Sequence, residues 1–176
     1  MKKIWQNVST FVLIANTDKQ IVNDAVGPNT AIVRFNHCEL HTRTRFKGKT
    51  DLLVLSAARD APAGFWGINR NHSLECIITR PSYIALYPSG RLNQKHRNEF
   101  GNSRVLYNWG SHCSSCNSFT CSVGVATLCV LHAIFQEAEF ILWGFDFHAD
   151  QPYTPWHDFY FERQWVNSLT RVRIIN

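Results

Sequence analysis

At 176 residues, with 45% hydrophobic and 13% aromatic side chains, the chain is long enough to bury a real core and too apolar to be disordered. A net charge of +5 and a pI near 9.0 suit an anionic ligand or a membrane surface. The basic residues are scattered apart from Arg43, Arg45, Lys47 and Lys49, so no nucleic-acid partner is expected. The start, Met1-Lys2-Lys3-Ile4-Trp5-Gln6-Asn7, lacks the apolar centre of a signal peptide, and no run of eighteen apolar residues exists. These features predict a cytoplasmic protein whose six cysteines are thiols.

Phe11 to Ala15 reads as a buried first strand. Asn16-Thr17-Asp18 then suits the cap of a helix over Lys19 to Ala25, and Gly27-Pro28-Asn29 breaks the chain. Ala31 to Asn36 reads as a second strand, His37 to Lys49 as a basic loop or irregular helix, and Thr50 to Leu55 as a third strand. A Gly/Pro-rich loop at Ala61 to Gly67 precedes a fourth strand at Glu75 to Thr79. Residues 83–119 are the least legible. They suggest strands at Tyr83 to Tyr87 and Arg104 to Trp109, with a short helix at Leu92 to Phe100.

The most informative stretch follows. Ser122 is a good N-cap for a helix from Val125 to Phe135 that has almost no polar face and so should be covered on all sides. Phe140 to Phe147 reads as an equally apolar strand, ending on Gly144-Phe145-Asp146-Phe147. Thr154-Pro155 should start a last helix, with Phe161, Trp165 and Leu169 as its apolar stripe. Strands alternating with helices predict an α/β fold: a single Rossmann-like domain over residues 1–176, its mostly parallel sheet flanked by helices. In such a sheet the Ser122 helix begins beside the C-terminal strand edge, where its free N–H groups suit a phosphate. The same pattern also fits a plain βαβ unit. Asn16 and Asn36, at two strand ends, can each read a base or ribose, or simply cap a turn.

Taken together, these stretches resemble the sialyltransferases of glycosyltransferase family 29, and more loosely the bacterial enzymes of family 42. The long motif is matched by Val12-Leu13-Ile14-Ala15-Asn16, Val33-Arg34-Phe35-Asn36 and Phe46-Lys47-Gly48-Lys49-Thr50. The short motif is matched by Ser122-Val123-Gly124, the apolar helix and Trp143-Gly144-Phe145-Asp146. The His-x4-Glu motif is matched by His157 and Glu162. The resemblance covers roughly residues 11–55 and 118–169, and the order of the motifs carries it.

The resemblance implies a GT-A-like variant fold and inverting transfer of sialic acid, or a related acidic sugar such as Kdo, from a CMP-sugar donor. It implies no metal and no further cofactor. The acceptor would be a glycan or glycolipid, which leaves room for peripheral association with the inner membrane. Asn16 and Asn36 would hold the nucleotide, Ser122 and Gly124 the phosphate and sugar carboxylate, and Tyr153 the phosphate from a lid. His157 would be the general base, and Glu162 a buried acid that orients its surroundings. A His in the first turn of its own helix, as expected here, stays ready to accept a proton.

Three departures stand beside the resemblance. Ten residues separate Asp146 from His157, where the family has a longer lid, so acceptor recognition is reduced or comes from another chain. Ala15-Asn16 replaces the usual Gly-Asn pair. Phe11 leaves no counterpart to the disulfide of animal members. Two other readings differ in class: a non-catalytic domain of the same fold that binds nucleotide or glycan, and a small zinc-binding protein using His112, Cys113, Cys116 and Cys121. The zinc reading lacks a second Cys-x2-Cys pair.

Overall fold

The computed structural model describes residues 4–15, 27–35, 50–57, 65–66, 83–87, 104–106, 121–147 and 157–175. These residues form eight strands and two helices: β1 (Thr10–Ile14), β2 (Thr30–Phe35), β3 (Leu52–Ala57), β4 (Phe65–Trp66), β5 (Tyr83–Tyr87), β6 (Arg104–Leu106), α1 (Val123–Ile134), β7 (Glu139–Trp143), α2 (Phe159–Ser168) and β8 (Val172–Ile175). The strands make one sheet in the order β6-β5-β3-β2-β1-β7-β8, with β4 off this path. Every pairing along the path is parallel; β4 alone runs antiparallel, against the end of β3.

The α/β class and the mostly parallel sheet thus follow the expectation. The apolar strands explain why, because a parallel sheet hides both faces. Phe11, Leu13, Ala31, Val33, Phe35, Phe140 and Leu142 point to one face, which packs on α1 and on Phe159 and Val166 of α2. Val12, Ile14, Ile32, Ile141 and Trp143 form a second cluster on the other face. Arg34, fully buried, alternates with the helix-side residues of β2. Asp51 stitches the sheet together at the head of β3. Its carboxylate accepts from the Ile32 N–H at 2.8 Å, and its own carbonyl accepts from the Tyr83 N–H at 3.0 Å.

Several expectations need correcting. The strand β8 was missed: Val172-Arg173-Ile174-Ile175 is short and interrupted by a charge, and pairing with β7 is what makes it a strand. So was β4, inside the loop expected at 61–67. Trp5 is buried against Phe11, Tyr83 and Phe135, although Lys2, Lys3, Gln6 and Asn7 around it in sequence are polar. The helices expected at 19–25 and 92–100 and the strand at 75–79 lie outside the described residues. Among the described residues, no helix is long and apolar enough to cross a membrane.

Candidate functional site

The chain order within the sheet fixes where a site can lie. From β1 the chain builds outward through β2 and β3, then returns to the other side of β1 with β7. The crevice past the C-terminal ends of β1 and β7 is therefore the point at which the winding reverses. Those ends are level, since Ile14 pairs with both Arg34 and Trp143.

α1 runs against the strand direction. Its far end brings Phe135 to a ring-centroid distance of 5.0 Å from Phe11, at the start of β1. Its near end lies at the C-terminal edge, where a Cβ on Gly124 would meet Phe145 ring carbons at 2.6 and 2.9 Å. The Phe145 ring in turn stands edge-on to Phe35, the last residue of β2. Gly144, at φ 70°, turns the chain out of β7, and Phe147, at φ 53°, turns its ring back into the core. Gly124 is thus a glycine because the ring of Phe145 fills the space its side chain would need.

Ser122 is the N-cap of α1, as expected. Its hydroxyl accepts from the Val125 N–H at a long 3.4 Å, because its main partner lies elsewhere. The same hydroxyl donates to Glu162 Oε2 at 2.7 Å, and the Ser122 N–H donates to Glu162 Oε1 at 2.5 Å. The carboxyl of Glu162 therefore sits at the N-terminus of α1, where the helix dipole favours negative charge. This is the place the sequence offers to a phosphate. Whatever Ser122 presents to a ligand, it presents in competition with Glu162. The N–H groups of Val123 and Gly124 belong to the first turn, which has no acceptor within its own helix.

Glu162 is 2% exposed. Burial pushes its carboxyl above the ordinary value of 4.5. The two Ser122 hydrogen bonds and the nearby His157 pull the other way, and Asp158 adds to the rise. A polar residue on the packed stripe explains the burial: Phe159, Glu162 and Val166 are the buried positions of α2. Of the expected stripe, Trp165 and Leu169 pack against the core, while Phe161 is 36% exposed. The signal was present in the sequence, as Phe159, Glu162 and Val166 recur at i, i+3 and i+7.

His157 is half-buried and precedes Asp158, whose side chain caps α2 by accepting from the Phe161 N–H at 2.9 Å. Thr154 and Pro155, expected to start this helix, lie outside the described residues, and His157 is not in the first turn of α2. The helix begins at Phe159, because Asp158 caps it there. His157 lies just outside, its ring centroid 5.4 Å from that of Phe159 and its charge within reach of Glu162. The structure thus brings Ser122, Gly124, His157 and Glu162 to one edge of the sheet. Asn16, Asn36 and Tyr153 lie outside the described residues.

Cys121 is disulfide-bonded, and Cys129 is a buried free thiol. The expectation of six thiols is therefore corrected, and a bonded Cys121 has no thiolate to offer zinc. Cys113, Cys116 and His112 lie outside the described residues. No group of three His, Cys, Asp or Glu able to hold a metal occurs among the described residues. A shallow groove lined by Trp5, Val8, Ser9, Phe135, Glu137 and Ala138 lies at the opposite edge and contains none of the motif residues. No protein-family model, no curated protein and no solved structure matches the chain.

Proposed function

We propose that the chain is a Rossmann-like glycosyltransferase that moves sialic acid, or a related acidic sugar, from a CMP-sugar to a hydroxyl of a glycan or glycolipid. One observation carries this reading. The Glu162 carboxyl grips both the N–H and the hydroxyl of Ser122, joining the last two motifs at the C-terminal strand edge. Two segments forty residues apart, each suited to one half of a transfer reaction, thereby meet at one edge of the sheet.

In the proposed reaction the acceptor oxygen bonds to the anomeric carbon as the bond to the phosphate oxygen breaks. CMP leaves with the electron pair. His157 takes the proton of the acceptor hydroxyl. The Val123 and Gly124 N–H groups receive the growing phosphate charge. Glu162 positions: it holds Ser122, and with it the start of α1, in register with the loop that carries His157. A monophosphate leaving group carries little enough charge that helix amides can meet it.

A non-catalytic nucleotide-binding domain is the second reading. It is favoured by the packing reasons found for Ser122 and Gly124, which would exist without catalysis. His157→Ala separates the two. An enzyme loses transfer by about two orders of magnitude or more and keeps donor binding, as expected for a general base. A binding domain has no transfer to lose. A thermal-shift screen of CMP, UMP, GDP and UDP tests both readings: stabilisation by CMP above the others supports them, and a preference for a diphosphate with metal overturns them.

A further inference from the structure

We propose that Glu162 is a proton-operated switch for the Ser122 hydroxyl: when Glu162 takes up a proton, the hydrogen bond between them reverses and the Ser122 O–H turns to the anion at the start of α1. This deepens the reading above and rests on it, since the anion is the donor's phosphate. The pair is placed for such an exchange. Oε2 of Glu162 accepts from the Ser122 hydroxyl at 2.7 Å, and Oε1 accepts from the Ser122 N–H at 2.5 Å. An ionised carboxylate can only accept, so the O–H of Ser122 is committed to it. The first-turn amides of Val123 and Gly124 would then hold an anion beside a like charge that is itself 2% exposed.

A proton on Oε2 removes both obstacles. It cancels the charge, and it makes Oε2 a donor to the Ser122 oxygen. That oxygen still accepts from the Val125 N–H, 3.4 Å away, and its own hydrogen becomes available to a phosphate oxygen. Oε1 keeps the Ser122 N–H, and the Ser122 carbonyl keeps the Ala126 N–H, so the helix start stays in place. No covalent bond between heavy atoms changes, and the proton comes from solvent. Among the described residues, the first turn of α1 adds no titratable side chain, and Asp146 beyond β7 and Arg163 on α2 are exposed. Burial favours the neutral carboxyl, the Ser122 bonds and His157 favour the ionised one, and Asp158 favours the neutral one. A bound anion adds to the side of burial. Anion affinity therefore falls as pH rises above 4.5 through the raised value of Glu162.

Calorimetric titration with the methyl ester of CMP, whose phosphodiester does not titrate over the range used, tests the switch. It is run on the full chain in pairs of buffers of different ionisation heat, from about pH 5 to about pH 8. Wild type should take up as much as about one proton on binding, and lose up to about tenfold in affinity per pH unit where it does so. Glu162→Gln should take up none. Its amide donates to the Ser122 oxygen as the protonated acid would. At the upper end of the range it should therefore bind more tightly than wild type, the reverse of what losing a merely structural residue gives. His157→Ala should keep the uptake, which separates the two titrating groups. Binding without uptake, uptake that survives Glu162→Gln, or weaker binding by Glu162→Gln overturns the switch and leaves the functional reading standing. No binding by either protein at any pH overturns both. Should Glu162→Gln fail to fold, the infrared difference spectrum of wild type on binding decides. A protonated-carboxyl band gained at the expense of a carboxylate band supports the switch, and its absence overturns it.

Discussion

Glu162 is asked to be two things at once: a hydrogen-bond acceptor for Ser122 and a buried acid. Burial prevails over the Ser122 bonds and His157, so the folded protein holds its proton more tightly than the unfolded chain does. The sign of the pH dependence follows. Its contribution to stability is complete below the unfolded value and disappears as pH rises through the raised folded one. Wild type should therefore lose ground to Glu162→Gln as pH climbs from about 4 towards neutrality, in denaturant unfolding at each pH. A wild type that gains ground instead would show the Ser122 bonds to dominate. Glu162→Ala removes the acceptor altogether and leaves the Ser122 N–H without it, at a cost of about 1–3 kcal/mol. Gly124 gives a second test. Alanine there gains up to about 1 kcal/mol in helix propensity, but its Cβ meets the Phe145 ring, and overpacking costs about 1–3 kcal/mol. Gly124→Ala should destabilise, and Phe145→Leu in the same chain should recover part of the loss.

At the scale of elements, α1 is the best determined. Its residues from Gly124 to Leu131 are all buried, and the internal Thr127 satisfies its hydroxyl on the Val123 carbonyl at 2.7 Å. Leu128→Ala should cost about 2–5 kcal/mol in unfolding free energy. The cap, the apolar run and the strand after it were legible because a helix with so little polar surface has few other fates. The prediction of cover on every side went too far, as Ala133, in the last turn, is exposed. The stripe expected on α2 holds in part. Trp165 and Leu169 pack against the core as expected, whereas Phe161 does not, and the most deeply buried line holds Phe159 and Val166 and takes Glu162 inside with them. Sequence spacing gives a period and not a phase; the phase comes from what the helix meets. Arg171 shows how the next turn is fixed: at φ 60° it reverses the chain into β8, and its guanidinium meets the Glu137 carboxylate at 2.8 Å. That pair is exposed and adds little to stability.

For the molecule as a whole, the sheet order is the element of the fold that sequence reading reached least directly. Apolar strands announce a parallel sheet but not which strand lies beside which; the reversal at β1 appears only once the strands are paired. Four of the seven expected site residues, Ser122, Gly124, His157 and Glu162, fall at that edge, and the other three lie outside the described residues. Ser122 and Glu162 meet there because a buried carboxyl needs donors, and a helix N-terminus has them to spare. The central claim is that CMP occupies the cleft between the start of α1 and the loop before α2. Hydrogen exchange with and without saturating CMP addresses it directly. CMP should slow exchange in peptides over 122–126 and 157–162 together. Protection at neither segment, or only around Trp5 and Phe135 at the opposite edge, would contradict it.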